Sequence, residues 1–217
     1  MRPGGTALTQ SALDICSLPR GSFVADIGCG IGGTLEHLGR SGIYNLVGVD
    51  PSDDMLSEGL AQSISGQLIR GRAETLPFKN RSLDAVFCEC VLSIIDDKPT
   101  AVRESARVLK DGGYLVLSDV FYAGPLGERS NKLGAPVTRR FLSKEQLLTI
   151  LSQFGFSLLL WEEHEQSFRE FVARMILASK CLTALRCGPP NISYFLLVAR
   201  KSMTAFPSVA SKGDGVP

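Results

Sequence analysis

Short apolar runs alternate with amphipathic stretches along most of the chain. Runs rich in Val, Ile, Leu and Phe that end at Gly, Asp or Pro predict buried β-strands. We expect these strands at 23–27, 45–50, 68–73, 83–92, 114–120, 157–161 and 193–200. The run at 114–120 is apolar on both faces, which indicates a central strand of a parallel sheet.

Helical patterns fill the intervals between these strands. Ser52 is a candidate N-cap for a helix through about Leu60, and Ser143 with Gln146 forms a capping-box pattern ahead of 144–154. Further helices are predicted at about 8–18, from 34, from 97 to about 111 and at about 165–187. The last of them carries an apolar stripe, interpreted as core or as a wall of a substrate pocket, at Phe168, Phe171, Val172, Met175, Leu182 and Leu185.

Strand and helix alternate five times before a final pair of strands closes the pattern. This order predicts an α/β fold with a doubly wound sheet, which binds ligands at the carboxyl ends of its strands. We expect one domain over 1–202, with a substrate-side insert at about 121–142 and a disordered tail at 203–217.

Composition excludes several classes of protein. Of the 217 residues, 44% are hydrophobic and 21% are charged, which is a globular balance. The formal net charge of +1 argues against a nucleic-acid partner, and no apolar run is long enough to span a membrane. Six cysteines are spread over the chain and its start has no apolar signal core, so we expect a cytoplasmic protein with reduced thiols.

A glycine-rich loop follows the first strand. Gly28, Gly30 and Gly33 satisfy the pattern G-x-G-x-x-G, and Asp26 precedes it by two residues. That carboxylate would repel a pyrophosphate and attract an ammonium or sulfonium group. Asp50 ends the second strand, at the spacing where a carboxylate meets the two hydroxyls of a ribose. Together the two carboxylates predict a site for a positively charged nucleoside.

Five motifs in residues 20–120 resemble those of the class I S-adenosylmethionine-dependent methyltransferases, in their type 11-like branch. The motifs are the segments 26–32, 49–52, 72–78, 83–86 and 108–113. Segments further along are most similar to quinone-type C-methyltransferases and arsenite methyltransferases, and the resemblance fades after about residue 125. It implies a three-layer Rossmann-like fold whose seven-stranded sheet is mostly parallel with an antiparallel last strand. It also implies S-adenosylmethionine as cofactor, S-adenosylhomocysteine as product and a small-molecule acceptor.

The same resemblance implies a set of cofactor contacts. Glycine-loop backbone would meet the methionine part, Asp50 the ribose, and Met55 and Ala73 the adenine, although plain packing is an equal alternative for Met55. The full set comprises Asp26, Gly28, Cys29, Gly30, Asp50, Pro51, Met55, Arg72, Ala73, Glu74, Glu89 and Cys90. Arg72 departs from the family, which commonly has an aspartate there to accept from the adenine amino group. Because arginine cannot accept a hydrogen bond, adenine recognition would rest on backbone or on Glu74.

Glu89 and Asp119, at the ends of two predicted strands, are the candidate catalytic residues. Aligning donor and nucleophile supplies much of the catalysis of methyl transfer, and a general base is needed only if the nucleophile must lose a proton. The alternative for Glu89 is a solvated or backbone-bonding loop carboxylate, and for Asp119 a turn or capping role. Arg139 and Arg140 are candidates for gripping an anionic acceptor group.

The cysteines leave one alternative open. Cys88 and Cys90 are two residues apart on a predicted strand, so we expect them on one face, whereas the spacing of Cys181 and Cys187 does not give a shared face. Small buried cysteines are one interpretation, and a thiol site for arsenite is the other. No metal centre is expected, because Asp119 is followed by apolar residues rather than by further ligands.

We therefore predict an S-adenosylmethionine-dependent methyltransferase that acts on a small molecule, as a monomer or homodimer. An arsenite or metalloid methyltransferase is the alternative within the class. Outside it stand a nicotinamide oxidoreductase, which Asp26 disfavours, and a non-catalytic binding protein, which the departure at Arg72 keeps open.

Overall fold

A seven-stranded sheet runs through the computed structural model, which describes residues 2–43, 45–124, 141–179 and 191–203. The strands are β1 (Phe23–Ile27), β2 (Asn45–Asp50), β3 (Gln67–Arg70), β4 (Leu83–Glu89), β5 (Leu109–Tyr122), β6 (Phe156–Glu163) and β7 (Ile192–Lys201). The helices are α1 (Gly5–Cys16), α2 (Gly33–Arg40), α3 (Asp53–Ala61), α4 (Lys98–Val108), α5 (Lys144–Gln153) and α6 (Glu165–Ser179), and a short 3₁₀ turn covers Leu92–Ile94.

The strand order is β3-β2-β1-β4-β5-β7-β6. Strands β1 to β5 pair in parallel, and β7 pairs antiparallel with both β5 and β6. The predicted α/β sheet with an antiparallel last strand is therefore confirmed. The order reverses at β1, because the chain moves from β3 at one edge to β4 on the other side of β1. Such a reversal opens a crevice at the carboxyl ends of the flanking strands, where ligands of doubly wound sheets bind.

Helices cover both faces of the sheet, so successive strand residues enter different cores. On β1, Val24 packs with apolar residues of α1 and α2, and Ala25 packs with those of α4 and α5. The same alternation continues on β5, where Leu115 and Val116 enter opposite cores. Burial on both faces explains why the central strands are apolar at successive positions and do not alternate between apolar and polar residues.

The predicted helix caps are present, whereas several strand and helix ends differ from the prediction. The Ser143 and Gln146 capping box is present, and Ser52 caps α3. Strand β4 ends at Glu89 instead of residue 92, because Cys90 takes a left-handed conformation with φ of 61°. Strand β3 ends at 70 instead of 73. Strand β5 begins at 109, inside the segment predicted as the end of a helix.

The last predicted helix is not a core helix. In α6, Phe168, Phe171 and Val172 are half-buried, Met175 is 48% exposed and only Ile176 among its described side chains is buried. Its apolar stripe lies along two surface cavities instead, which agrees with the pocket-wall interpretation. The stripe's predicted continuation lies outside the described residues, as do Arg139 and Arg140, Cys181 and Cys187, and residues 204–217 of the predicted tail.

None of the helices within the described ranges has the length and hydropathy that a membrane crossing requires.

Candidate functional site

The glycine loop crosses the carboxyl end of β2. Its first two backbone N–H groups, at Gly28 and Cys29, donate to the carbonyl of Val49 at 2.7 and 3.1 Å. The positive φ of Gly28 (71°) and Gly30 (54°) lets the chain turn sharply between β1 and α2. The loop is therefore fastened to the strand that ends in Asp50.

The two glycines differ in what surrounds them. A Cβ atom on Gly28 would lie 2.2 Å from a methyl carbon of Val91, so this glycine allows the loop to pack against the turn after β4. A Cβ on Gly30 would meet nothing within 4 Å. The backbone at Gly30 therefore faces open space, where a ligand can approach it.

Asp50 joins the loop to the start of α3. One carboxylate oxygen accepts the N–H of Gly30 at 2.8 Å, and the other accepts the N–H of Ser52 at 2.9 Å. Asp50 is buried, with only 8% of its surface exposed. Each carboxylate oxygen has two lone pairs, so both oxygens keep capacity for a further donor.

Asp26 lies behind the loop on β1 and is 2% exposed. Burial raises the pKa of Asp26 well above its usual range, and the nearby charges of Glu89 and Asp50 raise it further. The cation of Arg2 and a hydrogen bond with Thr34 act in the opposite direction on this pKa. Three carboxylates thus converge at the ends of β1, β2 and β4.

Glu89, at the end of β4, is held by side chains from the start of the chain and from α2. It accepts the hydroxyls of Thr9 at 3.0 Å and Thr34 at 2.7 Å, and Arg2 lies 2.9 Å from one oxygen. Its side chain is 1% exposed. The interpretation of Glu89 as a solvated or backbone-bonding carboxylate is therefore wrong.

Sequence reasoning missed these partners of Glu89. The sequence predicts a helix only from about residue 8, but α1 begins at Gly5 and the Nε atom of Arg2 donates to the carbonyl of Gly5. Thr34 follows the glycine pattern directly, and that position was the available signal for a side chain near the crevice.

Asp119 has the turn-fixing role given above as its alternative. Its two oxygens accept the backbone N–H groups of Ser93 and Val120, both at 2.7 Å. Burial raises the pKa of Asp119, and these two N–H donors oppose that shift. The carboxylate therefore ties the end of β5 to the 3₁₀ turn after β4.

The adenine side of the predicted site is more open. Met55 is 46% exposed in the first turn of α3, so it is not part of the buried core. Arg72 is exposed and its Nε lies 3.8 Å from a half-buried carboxylate oxygen of Glu74. Ala73, between Arg72 and Glu74, is buried, whereas Pro51, directly after β2, is exposed.

Helix α4 fixes the loop that carries Arg72. Glu104 accepts the N–H of Leu76 at 2.9 Å, and Arg107 donates to the carbonyls of Leu76 and Phe78 at 2.9 and 2.8 Å. Hydrogen bonds from Arg107 hold the pKa of Glu104 below its usual value. This pair was not predicted from the sequence, since nothing local links α4 to that loop.

The two central cysteines do not share a face, which corrects the expectation above. Cys88 lies in the core beneath α4 and α5, and Cys90 packs toward the other core, because its left-handed φ turns the side chain over. Cys90 Sγ lies 3.1 Å from the hydroxyl of Tyr194, and burial raises the pKa of Cys90 to about 11. The pair therefore does not present two thiols to one arsenic atom.

Two cavities flank α6. One of about 570 Å³ lies between α6 and the start of β7. The other, of about 510 Å³, adjoins the glycine loop at Gly33. Its walls come from the start of the chain and from α6, and they are Arg2, Gly4, Gly5, Thr6, Gly33, Ser167, Glu170, Phe171 and Arg174.

A doubly wound sheet with carboxylates around an open glycine loop defines a nucleoside-binding α/β protein. Residues 25–117 match a family model described as a methyltransferase domain. This segment, which carries the glycine loop and Asp50, is therefore similar to the methyltransferases of that family.

Two curated relatives illustrate the range of the family. A phosphoethanolamine N-methyltransferase of Triticum aestivum is 26% identical over 178 residues, which cover 79% of this chain and 35% of that protein. The ubiquinone/menaquinone biosynthesis C-methyltransferase UbiE of Campylobacter jejuni is 27% identical over 190 residues, covering 72% of this chain and 78% of that protein. The chain thus spans about a third of the length of the plant relative.

Solved structures give the same fold. The [4+2]-cyclase SpnF superposes with a TM-score of 0.75 at 25% identity, covering 91% of this chain and 81% of that one. A phosphoethanolamine N-methyltransferase 2 of Haemonchus contortus, solved with phosphomonomethylethanolamine and S-adenosylhomocysteine, gives a TM-score of 0.74 at 22% identity. That match covers 92% of this chain and 53% of that one.

The loop packing predicts a difference between two glycine substitutions. Gly28→Ala and Gly30→Ala both place alanine at positive φ, but only Gly28→Ala drives a methyl group into Val91. We expect Gly28→Ala to lower the free energy of unfolding by about 1–3 kcal/mol more than Gly30→Ala, the usual cost of overpacking. Urea denaturation measures this difference. Equal losses in the two variants would contradict the packing contact.

The thiol environments predict slow alkylation. Burial raises the pKa of Cys90 to about 11 and those of Cys16 and Cys29 to about 12, and it raises that of Cys88 as well. At pH 8 the thiolate fraction of Cys90 is then smaller than that of an ordinary thiol by roughly two orders of magnitude. We expect iodoacetamide to label these four cysteines far more slowly in the native than in the urea-unfolded protein, as measured by peptide mass spectrometry. Fast native labelling of Cys90 would contradict the assigned environment.

Proposed function

We propose that the protein transfers the methyl group of S-adenosylmethionine to a small-molecule acceptor. The observation that carries this proposal is the position of Asp50, which is fixed at the end of β2 by the N–H of Gly30 beside open space. A carboxylate placed there, with Asp26 behind the loop, suits a nucleoside that carries ribose hydroxyls and positive charge.

The described residues fit this cofactor. The open backbone at Gly30 and the fastened Gly28 would hold the methionine part, and Asp50 would accept from the ribose through its remaining lone pairs. Met55 would lie against the adenine, with the buried backbone of Ala73 and the carboxylate of Glu74 at its edge. The remaining members of the predicted contact set, Cys29, Pro51, Arg72, Glu89 and Cys90, would surround these groups.

With Arg72 in place of an aspartate, another group must accept the hydrogen bond from the adenine amino group. Its exposed guanidinium lies 3.8 Å from Glu74, whose carboxylate oxygens would accept from the adenine amino group. The rigid attachment of this loop to Glu104 and Arg107 would keep the acceptor in place.

Catalysis would come mainly from alignment. Bound S-adenosylmethionine supplies a methyl group activated by a sulfonium, and the protein must hold that group in line with the nucleophile. Glu89 and Asp119 are buried, and their carboxylates accept hydrogen bonds that hold neighbouring segments in place. We therefore assign both a positioning role, in which Glu89 supplies fixed negative charge and Asp119 holds the turn after β4.

The cavity of about 510 Å³ beside Gly33 is our candidate for the acceptor. It lies next to the glycine loop, and α6 gives it one aromatic wall at Phe171 and the ion pair of Arg174 with Glu170. These features suit a partly apolar molecule with a polar group.

A second function is favoured by one comparison. The similar protein SpnF is a [4+2]-cyclase, so this fold also accompanies a reaction other than methyl transfer. Formation of S-adenosylhomocysteine on incubation with candidate acceptors separates the two functions, because a cyclase leaves the methyl donor unchanged.

The ribose assignment predicts a selective loss in Asp50→Ala. We expect binding of S-adenosylhomocysteine to weaken by about 2–4 kcal/mol, or about 30- to 700-fold in the dissociation constant, because charged hydrogen bonds to a buried ligand are lost. The matched control is Asp53→Ala, since Asp53 lies three residues further on and pairs with Arg70 at the surface. Calorimetry with unchanged affinity in Asp50→Ala would overturn the assignment.

A further inference from the structure

Arg2 contacts the carboxylate cluster from the very start of the chain. In the described part of the protein, its Nη1 atom lies 2.9 Å from Glu89 Oε2, while Arg40, the cation of α2, pairs outward with Glu36. We propose that Arg2 sets the charge of the cofactor crevice and so determines how strongly the protein prefers the cationic methyl donor over the neutral product. This inference rests on the proposed function and adds a specificity-determining residue to its site.

Each of the three guanidinium nitrogens of Arg2 has a hydrogen-bond acceptor. Nη1 donates to the hydroxyl of Thr34 at 2.7 Å, Nη2 donates to the hydroxyl of Thr9, and Nε donates to the carbonyl of Gly5 at 3.1 Å. Both hydroxyls then donate to Glu89. Each threonine hydroxyl thus bridges the guanidinium of Arg2 and the carboxylate of Glu89, which also contact each other directly. These bridges hold both ions in one arrangement.

The charge of Arg2 reaches beyond Glu89. Asp26 lies on β1, which pairs with β4, and its carboxyl interacts electrostatically with Arg2, Glu89 and Asp50. Without Arg2, a bound ligand would lie beside the same three carboxyl groups, but the protein would carry one positive charge fewer at this place. The side chain of Arg2 is only 18% exposed, so solvent screens its charge less than that of a surface arginine.

The charge of Arg2 affects the binding of the methyl donor and of the product differently. S-adenosylmethionine carries a sulfonium, whereas S-adenosylhomocysteine carries a neutral thioether, and their amino-acid, ribose and adenine parts are the same. The ratio of their dissociation constants therefore reports the electrostatic potential at the sulfur. It is insensitive to a change that affects the shared parts of both ligands equally.

The test compares Arg2→Gln, Glu89→Gln and the double variant by calorimetry with both ligands, at pH 8 and low salt. We expect the ratio of the product's dissociation constant to the donor's to rise at least about threefold in Arg2→Gln and to fall by a similar factor in Glu89→Gln. In the double variant it should return to near the parent value. Arg40→Gln is the matched control and should leave the ratio unchanged, because Arg40 is exposed on the far side of α2.

Two outcomes overturn the inference. An unchanged ratio in Arg2→Gln, whether affinity for both ligands falls equally or not at all, would mean that Arg2 only supports the fold or the shared amino-acid part. Shifts of the same sign in the two single variants would also contradict it. If Arg2→Gln does not fold, Arg2→Lys, which keeps the charge, must retain the parent ratio while Glu89→Gln lowers it. A parent protein that binds neither ligand would instead contradict the proposed function.

Discussion

Carboxylates buried at the ends of neighbouring strands need donors, and this need organises the crevice. Asp50 obtains its donors from the backbone of the glycine loop and of α3, while Glu89 obtains them from Arg2 and two threonine hydroxyls. The loop, the first helix and three strands are thereby joined around one negatively charged region. A positively charged nucleoside is the ligand that such a region favours.

The sheet supplies the rigid frame for that region. Parallel pairing brings the carboxyl ends of β1, β2 and β4 to one edge, and the reversal of strand order at β1 leaves the crevice open there. The tight contact between Gly28 and Val91 fastens the glycine loop to the turn after β4. Asp26 and Asp50 are therefore placed by strands, and the glycine loop adds the N–H of Gly30 that fixes the carboxylate of Asp50.

Features that depend on local sequence were predictable. The boundaries of β1 and β2, the two helix caps and the tight turn of the glycine loop follow from residues close in the chain. The partners of Glu89 were not predictable, because Thr9 and Thr34 reach it from 80 and 55 residues away. The opposite orientation of Cys88 and Cys90 also escaped prediction, since alternation holds only while the strand continues and Cys90 leaves it.

The preference of the crevice for a positively charged nucleoside is tested by titration of the full chain with S-adenosylmethionine and, separately, with NADH. The two ligands share an adenosine, but one brings a sulfonium and the other a pyrophosphate to the carboxyl groups of Asp26 and Asp50. We expect saturable binding of S-adenosylmethionine and no measurable binding of NADH. Binding of NADH without binding of S-adenosylmethionine would rule out this preference.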